Sequence, residues 1–271
     1  MSAYDRFYTF IVDREAIRQR RLRGCNPPWT PDPILQQWRF CNVDREEDTV
    51  TRWIAANVRT RTNEPLLWFN LVIARFFNLP ETLERLGFIV DWNPTAFNLT
   101  MDHLQHTQAR LYNSAYMIRA GTGADSGMPK HRYLVKRVFH PMWEARRLAP
   151  VAASCQEWSN WFRGFFGMGD FMRNQVITDM KHTQYLEHAE DWETFVLLGP
   201  GTRRGMERLH LATTPERLLG LRGDLVKGLP GLARVWAEPN NVANALCEFD
   251  KYERVRLREG RPKQRYPGQG E

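Results

Sequence analysis

GFFGMGDFMRNQVITDM (residues 164–180) sets two glycines around one methionine, where an apolar segment ends and a new helical pattern begins. A tight G-x-G turn between helices points backbone N–H groups outward at the start of the second helix, where the macrodipole also favours an anion. The apolar residues before Gly167, the single Met168 ahead of Gly169, and the helix running on through Val176 fit a helix-hairpin-helix turn. They equally fit a plain helix–helix connection. Asp170, directly after the second glycine, counts against a phosphate there unless it acts as a helix cap.

Outward from this turn the periodicity is helical. In EPLLWFNLVIARFFN (64–78), Leu66, Phe69, Val72, Ile73, Phe76 and Phe77 recur at helical spacing, and strand-like alternation is scarce. The chain reads as all-α. A first helix over 4–23 carries Arg14, Arg18, Arg20, Arg21 and Arg23, and Pro27, Pro28 and Pro31 then break it. Asp32 before Pro33 is an N-cap followed by a proline at the first helical position, so PILQQWRF restarts a helix, with Trp38 and Phe40 read as core. REEDTVTRWIAANV follows as an amphipathic helix, and residues 93–120 give one or two more before a glycine-rich connection. HRYLVKRVFHPMWEARRLAP, SCQEWSNWFRGF, TPERLLGLRG and NNVANALCEFDKYERV complete the helical set. No linker divides the chain, which reads as one helical domain over 1–271, with an N-terminal arm (1–24) and a loosely held basic tail (256–271).

Composition narrows the partner. Of 271 residues, 38 are Lys or Arg against 31 Asp or Glu, a net charge of +7. Such a surface suits a polyanion, because clustered cations release condensed counterions when they meet phosphates, although a solvated basic face is the plain alternative. Cys25, Cys41, Cys155 and Cys247 form no C-x-x-C pair and no zinc or iron–sulfur pattern, so no metal site is expected. No secretion signal and no apolar run of about 18 residues is present, so a soluble, intracellular protein without membrane contact is expected.

A second turn, LLGPGTRRGMERL (197–209), places Gly199, Pro200 and Gly201 before Arg203 and Arg204. Arginines in the first turn of a helix oppose the macrodipole, which an anionic ligand would explain better than helix stability does. Asp191, in EDWETF, is either a functional carboxylate or the N-cap of a helix over 192–197.

Five separated pieces resemble one family: residues 13–54, LYNSAYMIRAG (111–121), GMGDFMRNQVITDM (167–180), FVLLGPGTRRGMERL (195–209) and CEFDKYERVRLREGRPKQRY (247–266). Together they look like the α-glutamyl/putrescinyl-thymine pyrophosphorylases, which share a helical domain with phage 5-hydroxymethyluracil DNA kinases. The most specific parts are PPWTPDPILQQWRFCNVDRE and CEFDKYERVRLREGRPK. The resemblance implies a helix-hairpin-helix DNA glycosylase-like fold, two helical lobes around a cleft, acting in thymine hypermodification of bacteriophage DNA in the cytoplasm of the infected host. The activity it implies is an amino acid:DNA transferase. Such an enzyme replaces the pyrophosphate of activated 5-hydroxymethyluracil in double-stranded DNA with the amine of an amino acid, glycine first, or of a polyamine. The sequence contains no G-x-x-x-x-G-K-[ST], so the ATP-dependent kinase itself is not expected. Phe171 stands where many glycosylases carry a hairpin lysine. A glycosylase acting on a modified base, or a non-catalytic DNA-binding adaptor for a hydroxymethyluracil DNA kinase, remain alternatives.

Each step of that chemistry has candidates. Base flipping needs backbone clamps and a wedge, expected from Gly167 and Gly169, from Arg18 and Arg21, and from Arg39 and Asn42. Pyrophosphate departure needs cations, expected from Arg203 and Arg204 with the Gly201 amide, then from Lys251 and Arg254. The attacking amine needs a base, for which Asp191 leads Asp179 and Asp250; glycosylases keep an aspartate at about this remove from the hairpin. Magnesium is left open, since no carboxylate cluster compels it. Cys41 and Cys247 are the thiols an adduct route would require, with buried structural cysteine as the simpler reading.

Overall fold

The computed structural model describes residues 1–107, 110–113, 122–151, 154–262 and 264–266. Among these the chain is all-α, with no strand beyond a lone antiparallel bridge between Trp38 and Arg265. In chain order the helices are α1 Ala3–Leu22, α2 Pro33–Gln37, α3 Thr49–Ile54, α4 Leu67–Phe77, α5 Pro80–Leu86, α6 Pro94–Thr107 and α7 Lys130–Leu134. There follow α8 His140–Glu144, α9 Cys155–Arg163, α10 Asp170–Met180, α11 Pro200–Arg208, α12 Pro215–Gly228, α13 Ala233–Trp236 and α14 Pro239–Arg256. π-helical turns extend α3 through Ala55–Arg59 and join α7 to α8 through Val135–Phe139. No helix among the described residues is long and apolar enough to cross a membrane.

The chain forms two compact units. A terminal unit comprises Met1–Asp48 and Val196–Glu271, and a central unit comprises Thr49–Phe195. The terminal unit packs Phe7, Phe10 and Ile11 of α1 against Leu246 and Phe249 of α14, with Trp236 beside them, all buried. The central unit is built on α4, whose eleven residues are all buried. Its aromatic core includes Trp158 against Phe162 at 5.4 Å and Phe76 against Phe139 at 5.5 Å.

Local signals account for most boundaries. Asp32 caps α2 by accepting from the Ile34 and Leu35 amides at 2.7 and 3.0 Å, with Pro33 next, as its sequence predicts. The helix stops sooner than expected, because Trp38 is already extended and joins the bridge. Ser154 and Glu157 form a capping box that starts α9.

Two further expectations change. The helix over 192–197 does not form: Trp192, Thr194 and Phe195 close turns onto Ala189 and Asp191 carbonyls, and the chain is irregular from there to Gly199. The tail is not loose throughout, since the Arg39 amide donates to the Gln264 carbonyl and the Tyr266 amide to that of Gln37. The helical reading over 93–120 holds for α6, while its later part, including most of LYNSAYMIRAG, lies outside the described residues.

The second glycine turn is a packing device. A side chain at Gly201 would run into the Cys247 sulfur, and one at Gly205 into the Leu246 backbone, so two missing Cβ atoms, one helical turn apart, let α11 lie directly on α14. Gly220, on α12, meets nothing within 4 Å. Gly205→Ala is therefore expected to cost about 2–4 kcal/mol, in the range of overpacked or strained cores. Gly220→Ala should be neutral or stabilising by up to about 1 kcal/mol. Urea unfolding of both variants checks this, and equal midpoints would remove the close-packing argument.

Candidate functional site

The glycine turn of 164–169 joins α9 to α10 in the central unit. Gly167 is left-handed, with φ +79, a conformation that favours glycine, and a side chain there would make a tight 3.2 Å contact with the Phe76 ring. Met168 is buried and anchors the turn from inside. Gly169 is the N-cap of α10 in extended conformation, offers the first-turn amides no side-chain cap, and has open space where a side chain would stand. Asp170 pairs with Arg173, which also donates to the Ser159 hydroxyl at 2.7 Å, so this acid is not the cap. Phe166 and Phe171 flank the turn, each 43% exposed, and Arg137 lies over the Phe166 ring at 5.4 Å. Sequence reasoning noted Phe171 only as standing in place of a hairpin lysine and passed over Phe166, because apolar side chains around a turn read as core.

Asp179 and Asp191 lie in the same unit, in structural roles. Asp179 is fully buried, and both of its oxygens are taken: Arg75 donates from Nε and Nη2 at 2.5 and 2.7 Å, and Arg59 from Nε at 3.0 Å. Burial alone would raise its pKa, but Arg75 and Arg59 outweigh burial and hold the carboxyl at about 2. Asp191 accepts from the backbone amides of Cys155 and Gln156 at 2.7 and 2.9 Å. It caps α9, not a helix of its own.

The other candidates belong to the terminal unit. Asp250 is fully buried; Arg204 donates to it at 2.8 Å, and Arg208 and Arg254 each approach within 3.5 Å. Arg208, missed in the sequence, shares a face of α11 with Arg204 at i+4 spacing, the one signal that could have found it. Lys251 donates to Glu248 at 2.5 Å. Burial opposes the lysine's charge, but Glu248 overrides it and holds the pKa above the usual range. Arg203 reaches backward, donating to the carbonyls of Leu198 at 3.1 Å and Thr213 at 3.4 Å. The structure thus brings Arg204, Arg254 and Asp250 together, while Arg203 ties its own loop and Gly201 packs on Cys247.

Burial pushes the Cys41 thiol up to about 12 and raises that of Cys247, so neither is primed as a thiolate. Arg18 is paired with Glu15 at 2.7 Å. Asn42 is fixed by its amide on Asp48 at 2.9 Å and its side chain on the Glu47 carbonyl at 2.8 Å. Arg21 and Arg39 stay exposed, Arg21 over the rings of Trp29 and Tyr266. Among the described residues no group of three or more His, Cys, Asp or Glu side chains is placed to hold a metal ion.

With this geometry in hand, comparison decides the family. Residues 1–220 match the family described as 5-hmdU DNA kinase, helical domain. The chain belongs to that family. A 5-hmdU DNA kinase of Bacillus phage SP10 is 34% identical over 228 residues, covering 75% of this chain and 36% of that kinase. The chain therefore spans little more than a third of the relative's length. No solved structure matches it.

These findings overturn the amino acid:DNA transferase expected from the sequence. The family and the phage protein are both named for a DNA kinase, not for displacement of pyrophosphate by an amine. The matching family is defined by a helical domain, and a scaffold does not carry its chemistry with it.

Asp179→Asn should destabilise the protein by about 3–5 kcal/mol, since it leaves two buried guanidiniums short of a counter-charge. The acid dependence follows from the lowered pKa: the stabilisation is complete above the unfolded value of 3.8 and disappears as the pH falls through about 2. Unfolding free energies measured between pH 5 and pH 2 should fall more steeply in the native protein than in the variant. Parallel curves would assign the acid sensitivity elsewhere.

Proposed function

We propose that this chain is a DNA-engaging helical module serving a 5-hmdU DNA kinase, itself without the phosphoryl-transfer chemistry. The observation that carries this reading is the family match over residues 1–220, to a region named as the helical domain of such a kinase. Phosphoryl transfer needs a bound nucleotide donor, and the sequence has no G-x-x-x-x-G-K-[ST] to cradle its phosphates. The sequence offers no P-loop, and no transfer step is assigned to its residues.

In this reading α9, the glycine turn and α10 act as a glycosylase-like helix-hairpin-helix. The exposed turn at Gly167 and Gly169 meets a DNA phosphate through backbone amides at the positive end of α10, and the Asp170 charge that would oppose it is paired with Arg173. The substrate is duplex DNA carrying 5-hydroxymethyluracil, and the setting is a phage-infected bacterial cell. The net charge of +7 favours the encounter at long range.

Fluorescence anisotropy with a labelled 5-hydroxymethyluracil duplex tests the reading, with binding expected and its affinity falling as salt rises. Incubation with γ-labelled ATP should leave that DNA unlabelled when this chain is the sole protein. Absence of binding would overturn DNA engagement, and labelled DNA would overturn the non-catalytic assignment. Gly169→Glu sharpens the test, because the position is open and its backbone ordinary, so the fold should be kept. The added carboxylate should lower duplex affinity about tenfold, the effect of roughly 1.4 kcal/mol of repulsion, with an unchanged Tm.

A further inference from the structure

The last described stretch of the chain is held against the segment that follows α2. The Arg39 amide donates to the Gln264 carbonyl at 3.1 Å and the Tyr266 amide to the Gln37 carbonyl at 3.3 Å, on either side of the Trp38–Arg265 bridge. This short pairing builds an aromatic platform under arginines. Arg265 Cζ lies 4.7 Å from the centre of the Trp38 ring. Arg21 Cζ lies 5.4 Å from Trp29 and 5.3 Å from Tyr266, and those two rings meet edge to face at 5.2 Å. Arg20 donates to the Trp29 carbonyl. Burial raises the Tyr266 hydroxyl pKa, while the charges of Arg21, Arg39 and Arg14 pull it down.

Arg20, Arg21, Arg39 and Arg265 are all exposed. The C-terminus of α1 attracts cations, which accounts for Arg20 and Arg21 without any ligand. It does not account for Arg39 or Arg265, which lie outside helices. Asp32 accepts from two amides and from the Tyr252 hydroxyl at 2.7 Å, Glu15 holds Arg18 and Gln19, and Asp13 offsets part of the charge of Arg20.

We propose that Arg20, Arg21, Arg39 and Arg265 form a phosphate-tracking surface for duplex DNA, assembled when residues 264–266 pair with residues 37–39. The inference rests on the proposed DNA engagement and adds a second, side-chain-based contact to it. Two features favour DNA over a membrane or an acidic protein. The cations are all arginines, whose planar forks take phosphate oxygens in pairs. Stacking on rings also holds Arg21 and Arg265 in place, as a regular row of phosphates rewards and a fluid anionic lipid surface does not.

The test uses the full chain, a labelled duplex and a salt series. In Arg21→Ala/Arg39→Ala/Arg265→Ala the slope of log affinity against log salt should lose about 0.9 for each phosphate contact removed, about 2–3 in all. Arg21→Lys/Arg39→Lys/Arg265→Lys should keep most of the slope and lose affinity a few-fold. Tyr266→Ala, which removes the ring beneath Arg21, should weaken binding with its circular dichroism intact. If the native chain binds DNA and the alanine variant binds with the same slope, this surface is refuted while DNA engagement stands. If the native chain does not bind, both fall. Loss of binding to phosphatidylserine vesicles without loss of DNA binding would hand the surface to a membrane and overturn the proposal.

Discussion

Asp179 keeps its charge with no contact to solvent, and it can do so because guanidiniums reach it from two separate places: Arg59 at the end of the π-turn after α3, and Arg75 near the end of α4. A lone carboxylate at that depth would give up its charge or unfold its surroundings; two fork-shaped donors make the burial tolerable and fix where α10 sits. The interaction is therefore a constraint on the central unit as much as a contribution to its stability. The Thr51 hydroxyl, 3.3 Å from Arg75, brings α3 to the same point. Helices that share only apolar contacts can slide a residue past one another, whereas helices sharing a carboxylate cannot.

The terminal unit repeats the device. Asp250, Glu248 and Glu253 project from α14 and are each nearly or fully buried, and each is answered by arginine or lysine: Arg204 at 2.8 Å, Lys251 at 2.5 Å and Arg256 at 2.7 Å. Lys251 and Arg256 lie on α14 itself, so its placement is fixed by the cations other helices bring, Arg204 of α11 at Asp250 and Arg6 of α1, 3.3 Å from Glu253. α11, which carries Arg204 to Asp250, comes this close to α14 because Gly201 and Gly205 have no side chains. The two G-x-G turns of the sequence thus do opposite work. Gly201 disappears into a helix contact, while Gly169 stands open at a helix start.

The helical class was legible from periodicity, and the caps at Asp32 and Ser154 were legible because they depend on neighbours in sequence. What escaped was decided by distant partners. Asp191 looked like the cap of the helix after it and is the cap of α9, more than thirty residues earlier, because two amides there lack carbonyl partners. The arginines after Gly201 looked misplaced against the macrodipole, yet Arg203 turns back to the Leu198 and Thr213 carbonyls and Arg204 finds Asp250. Nothing local announces the pairing of residues 264–266, whose sequence reads as a basic coil. The family was legible at the level of the helical domain and misleading at the level of reaction, since the recognisable residues are those that build the scaffold.

Net charge is a coarse guide to where a polyanion would sit on such a molecule. Arg14, Arg59, Arg75 and Arg173 are buried, so part of the arginine content serves the interior and leaves other surface cations to set the external field. In the reading advanced here, phosphate meets the protein by two physically different means. Backbone amides at α10 carry a partial charge and release few counterions, so their contribution is nearly independent of salt. Exposed guanidiniums carry a full charge and release one counterion per phosphate neutralised, so theirs declines as salt rises. A module using both would keep a salt-resistant residue of binding at the hairpin after the arginine contacts have been screened away. Long-range capture and short-range registration would then be separate properties, set by different residues.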